Sequence, residues 1–251
     1  MSIENLQKSR PVKTKTKAKH KVNKRHSSPY FHIGMGLFLL LVMFLGFWSS
    51  YFSAVLPGRE MEASTGGVPA VIHIHGLVFV GWFLLYMYQS ILIFKKKIIT
   101  HNKIGRYGMF LGAAVFITGL LVLFFQQYKL ISDGDRTLTE GTFGTVGVWM
   151  QMLSFAVLLF LGYKKRRLPE SHKRYMLFAT IVIMPAALVR TLSLDFIRNS
   201  ISIPSPLFFG LLILAVVWIH DYYTLRKIHK VTLIGTGLLI IDMALLYMGF
   251  A

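Results

Sequence analysis

The feature that most constrains this chain is a series of seven apolar runs, near residues 31–55, 71–94, 107–128, 145–163, 174–193, 206–224 and 231–250, separated by short basic clusters. A helix needs about 20 apolar residues to cross the roughly 30 Å of hydrocarbon in a bilayer, and each run meets that length. The sequence therefore predicts an all-α bundle of seven transmembrane helices, residues 31–251, with no soluble domain. Composition agrees: 54% of the 251 residues are hydrophobic, far more than a soluble core of this size needs. The formal charge of +18 would suggest nucleic acid in a soluble protein. Here the charges border spans, and a nucleic-acid partner is not expected. The absence of cysteine excludes disulfides, iron–sulfur clusters and thioether-attached haem, so any metal must be held by His, Met, carboxylate or amide.

Orientation follows from Lys and Arg, which resist translocation when they flank a span. Residues 1–30 carry nine of them against the single acid Glu4, too little apolar surface to fold, and are expected to form a disordered basic tail that meets anionic lipid headgroups. A long basic lead without a small-residue cleavage site makes the first run a retained anchor rather than a signal peptide. Lys95, Lys96, Lys97, Lys103 and Arg106 lie between the second and third spans, Lys164 to Arg167, Lys173 and Arg174 between the fourth and fifth, and Arg226, Lys227 and Lys230 between the last two. Together with the tail, 23 of the 28 basic residues fall on one side, and only Arg59, Lys129, Arg136, Arg190 and Arg198 on the other. The N-terminus is expected in the cytoplasm and the C-terminus outside, in a bacterial inner membrane.

A polar side chain inside a bilayer costs several kcal/mol unless it is partnered, so the residues kept at depth are the informative ones. At 1.5 Å per residue, His75 lies about 8 Å and Gln151 about 9 Å in from the outer face, Arg190 in the outer third of the fifth span, and Asp242 near the middle of the last. Asp242 and Arg190 read as the deep acid and the deep base, which predicts a structural ion pair between them. A second group, His32, His101, His172 and His220, lies at the inner ends of spans. Each alone suits the headgroup region, but four at one depth point towards ligation. His20, His26 and His229 stand among basic residues and carry no assignment.

Helical phase sharpens this picture. His75, Phe79, Trp82, Tyr86 and Gln89 share one stripe, which should face the protein interior, while His73 points elsewhere. His172, Met176, Ala179, Ile183, Ala186 and Arg190 share another, with a kink expected at Pro185 and small residues leaving room for a helix or a flat cofactor. Gly108 and Gly112 form a packing pair.

The set His75-Gly76, Trp82, Gln89, His101-x-x-x-Gly105-Arg106-Tyr107, His172-Lys173-Arg174-x-Met176 and Arg190 resembles a broad group of bacterial multi-pass membrane proteins of unknown function, over residues 71–193. More loosely it is similar to the two-haem b-type membrane cytochromes. That second resemblance implies haem b between histidines of neighbouring helices. The outer His75 lacks a histidine partner, because the fourth span has none and offers Gln151, Met150 or Met152. At the inner layer His101 and His172 are expected to be the metal ligands, with His220 able to replace either, and a quinone is expected near His75, Gln151 and Arg190. The alternatives are a non-enzymatic subunit or assembly factor of a larger membrane complex, and a metal or small-solute transporter that would use Asp242 and His75. The His-Glu-x-x-His of zinc proteases, the histidine boxes of desaturases, a phosphate-binding Gly-rich loop and a retinal-binding lysine are all absent.

Overall fold

The structure is a computed structural model that describes residues 29–52, 70–132, 142–192, 194 and 206–248. The basic tail, all but its last two residues, and the chain's last three residues lie outside the described residues. The elements are α1 (Pro29–Gly46), a π-helical turn (Trp48–Phe52), α2 (Ala70–Phe94), α3 (Ile98–Ser132), α4 (Thr142–Lys164), α5 (Pro169–Val182), α6 (Pro185–Leu192), α7 (Pro206–Leu225) and α8 (Lys230–Met248). Among the described residues there is no strand, so the all-α expectation holds. Four helices, α2, α3, α4 and α7, contain segments long and apolar enough to cross a membrane, and α5 with α6 makes a fifth if the bent pair is one span. The apolar part of α1, Tyr30–Gly46, is shorter.

The outer surface shows why these helices suit lipid. On α3 the exposed large side chains include Phe110, Ile117, Leu121, Phe124 and Tyr128, which repeat along one face of the helix. On α2 the exposed set includes Ile74, Leu77, Leu84 and Tyr88. A water-soluble bundle turns charge outward on such faces, whereas a helix apolar all round belongs in a membrane or a large core. This is the architecture of a multi-pass membrane protein.

Helix α5 is the centre of the bundle. Every residue from Leu177 to Pro185 is buried, and α5 packs against α4 and α8 and touches α1 and α2. Small residues set the closest approaches. A Cβ at Gly147 on α4 would stand 2.7 Å from the Leu246 backbone nitrogen on α8, and one at Gly46 would collide with the Ala187 carbonyl on α6. The expected packing role of Gly108 and Gly112 is also seen: their Cβ positions would fall 2.7 Å from Leu85 and 2.6 Å from Leu159.

The kink expected at Pro185 is present as a 49° bend between α5 and α6. Proline has no N–H to give the carbonyl one turn back, so the ladder stops. The Met184 N–H closes a tighter turn on the Ile181 carbonyl at 3.0 Å, and the next helix starts with Leu188 N–H on Met184 O at 2.9 Å.

Candidate ligand cavity

The break between α5 and α6 leaves the Val182 carbonyl without its usual helical donor. Gln151 on α4 supplies one, its Nε2 donating to Val182 O at 2.7 Å. That requirement fixes the amide, nitrogen towards the carbonyl and Oε1 away from it. Gln151 is 4% exposed. The same break turns α6 so that Ala186 and Arg190 line a cavity of about 330 Å³ together with His75, Gly76 and Phe79 of α2, Gly119 and Leu123 of α3, and Gln151 and Met152 of α4. Gln126 of α3, Met43 of α1, Phe47 just after it, and Tyr51 and Phe52 of the π-turn also line it. Such turns recur at functional sites because they re-aim side chains out of helical register.

His75 is held by Thr118 on α3, whose hydroxyl lies 3.0 Å from His75 Nδ1. Thr118 donates its own hydrogen to the Ala114 carbonyl at 2.7 Å, the back-bond that threonine commonly makes inside helices. His73, on another face, meets the Tyr51 hydroxyl at 3.2 Å. Arg190 is exposed at the cavity edge, donates to Ala186 O at 3.0 Å, and places its guanidinium 5.1 Å from the centre of the Phe47 ring. The three outer residues singled out by sequence, His75, Gln151 and Arg190, therefore share one cavity.

The ion pair expected between Arg190 and Asp242 is not formed. Asp242 is fully buried and accepts from the Ser154 hydroxyl at 3.2 Å, with Oδ2 left without a partner. The break at Pro185 carries Arg190 to the surface, where its partners are a carbonyl and an aromatic face. The buried pair lies elsewhere, between Arg174 on α5 and Asp221 on α7, 2% and 1% exposed. Arg174 donates through Nε to Asp221 Oδ1 at 2.8 Å and through Nη2 to the same oxygen. Its Nη1 reaches the Glu170 carboxylate at 2.8 Å. Asp221 Oδ2 accepts from the His229 N–H at 3.1 Å and from the Thr232 hydroxyl. Sequence reasoning missed this clamp because both charges fall near span ends, where they count as loop residues. The available signal was a single aspartate, Asp221, in the apolar stretch before Arg226.

At the end of the bundle away from this cavity the histidines form two pairs. The His101 and His172 rings lie 6.2 Å apart between centres at 84°, and His172 Nδ1 donates to Gly162 O at 2.9 Å. His220 is not beside them. It stacks on Phe31 at 3.7 Å and stands 5.9 Å from His32. His32 Nε2, the Gln89 amide, His101 Nδ1 and His220 Nε2 are buried without partners. Two imidazoles on opposite sides of one metal, with bonds of about 2 Å, place their ring centres about 6 Å apart, a separation close to that of the His101 and His172 rings. A backbone carbonyl on the remote nitrogen, as at His172, is the usual way a ligating histidine is oriented. Neither the cavity around His75 nor a second one of about 510 Å³, lined by Ser171, Tyr175, residues 227–231 and Ile234, touches either ring, and Ala179, expected to wall a haem, is fully buried in the core. With Ala179 packed into the core, the flat wall expected beside the pair is not present, and the surroundings of the two rings do not fit a haem. Among the described residues no group of three or more His, Asp or Glu converges as a metal site.

Comparison of the chain with protein-family models, curated proteins and solved structures finds no match.

Proposed function

We propose that this is a seven-span, N-in and C-out protein of a bacterial inner membrane that binds a quinone-type molecule in its outer cavity as part of an electron-transfer role. The observation that carries the reading is the convergence of His75, Gln151 and Arg190, from three helices, on a single apolar cavity of about 330 Å³. That volume is at the small end of the range, about 300–1,000 Å³, in which small-molecule sites fall. The lining matches a flat, mostly apolar ring with oxygens at its edge: Phe47, Phe52 and Phe79 supply the walls, and His75, Gln151 and Arg190, with Tyr51 and Gln126 beside them, supply the few oriented contacts that fix such a ligand. An isoprenoid tail has the apolar lipid phase beside it.

The test is equilibrium binding of a one-isoprene benzoquinone to the full chain in nanodiscs, against empty nanodiscs. Saturable binding that weakens about tenfold or more in Gln151→Leu is expected. Uptake equal to that of empty nanodiscs would remove the reading.

A further inference from the structure

We infer that the outer cavity selects the reduced, hydroxyl-bearing form of its ligand, a hydroquinone, over the oxidised quinone. This deepens the quinone-site reading and rests on it. The reasoning starts from a hydroxyl on α3. Thr118 has one hydrogen, and the Ala114 carbonyl at 2.7 Å receives it. Towards His75, then, the Thr118 oxygen offers only lone pairs, and the 3.0 Å contact requires that His75 Nδ1 carry the hydrogen. A neutral imidazole with its proton on Nδ1 has a bare lone pair on Nε2. Thr118 thus sets the tautomer of a cavity-lining histidine and makes it an acceptor.

Gln151 adds to the same polarity. One amide hydrogen is committed to Val182 O at 2.7 Å, so the amide cannot turn over, and Oε1 stays available as a second acceptor. Its remaining amide hydrogen serves either form of the ligand. Arg190, a donor only, and Gln126, whose amide serves either form, are exposed lining residues, the Tyr51 hydroxyl is engaged with His73 at 3.2 Å, and Gln151 is buried. The interior therefore asks for a donor and the edge for an acceptor. A quinone carries acceptors alone, and a carbonyl placed against His75 Nε2 sets lone pair against lone pair. A hydroquinone donates an O–H there and keeps ring oxygens for Arg190. Leaving a buried polar group unmatched weakens binding by about tenfold, the scale of one hydrogen bond.

The measurement is anaerobic equilibrium binding of a one-isoprene benzoquinone and of its borohydride-reduced hydroquinone to the full chain in nanodiscs. The hydroquinone is expected to bind about tenfold or more tightly. Thr118→Val keeps the shape but frees the tautomer, and it should bring the ratio of the two affinities towards one. Thr118→Ser, which retains the hydroxyl, should restore the ratio, and Thr118→Ala gives the same readout as valine if valine is not tolerated. Equal affinities in the unaltered protein, a preference for the quinone, or a ratio unchanged in both Thr118→Val and Thr118→Ala would each overturn the inference while leaving the site itself standing. Binding of neither form above empty nanodiscs would overturn the site and the inference together.

Discussion

Asp221 and Asp242 are both buried carboxylates in apolar helices, yet their neighbours give them opposite consequences. Asp221 is saturated by Arg174, Thr232 and the His229 N–H. Removing Arg174 leaves Asp221 charged and uncompensated, which costs about 3–5 kcal/mol in comparable buried pairs, and removing Asp221 leaves buried Arg174 with only the more exposed Glu170. Arg174→Met and Asp221→Leu should each lower the melting temperature in detergent sharply, while the two combined should lose less than the sum of the two single losses. Strict additivity would contradict the clamp. Asp242 has only Ser154 on Oδ1, and Oδ2 faces no partner. Asp242→Asn keeps an acceptor for Ser154 and removes the desolvated charge, so it should melt at the same temperature or higher, and its effect should add to that of Arg190→Gln because the two do not touch. His75, Gln151 and Arg190 were legible in the sequence because a polar atom inside an apolar run is conspicuous. Their common cavity was only partly legible, and Thr118 not at all, because the value of a threonine hydroxyl depends on which histidine lies across a helix boundary.

At the scale of elements, the α5–α6 break does most to build the site. One proline ends the helical ladder, one glutamine from α4 satisfies the carbonyl this frees, and the 49° turn carries Arg190 to the cavity edge. Gln151→Leu should therefore do two things at once. It should destabilise the fold by about 1–3 kcal/mol through the unsatisfied Val182 carbonyl, read as a lower melting temperature, and it should weaken ligand binding. Loss of binding with no change in melting would mean that the Gln151–Val182 bond carries no weight in the fold. The kink was legible from Pro185 alone. The direction of the turn was not, because it is set by close contacts such as Gly46 against Ala187, between residues more than a hundred positions apart. The straight-helix stripe from His172 to Arg190 drawn from sequence fails at the same place, since it runs a single helical phase through a break.

For the whole molecule, the length and apolarity of the runs made the helical membrane architecture readable, and α2, α3, α4 and α7 bear it out directly. Topology rests on the 23 basic residues placed on one side against five on the other. A periplasm-active reporter fused after Ala251 should be on, and a cytoplasm-active one silent. The reverse pattern would change the span count by one and place the cavity at the opposite leaflet. The central claim, a quinone-type ligand in the outer cavity, is tested most directly by photolabelling. The full chain in nanodiscs is exposed to an azido-benzoquinone, irradiated, digested and mapped by mass spectrometry. The account predicts label, competed by excess unlabelled quinone, on the peptides around Phe47–Phe52, His75–Val80 and Gly119–Leu123. Competable label confined to the inner end around His101 and His172, or label spread over the lipid-facing side chains in proportion to exposure, would contradict it.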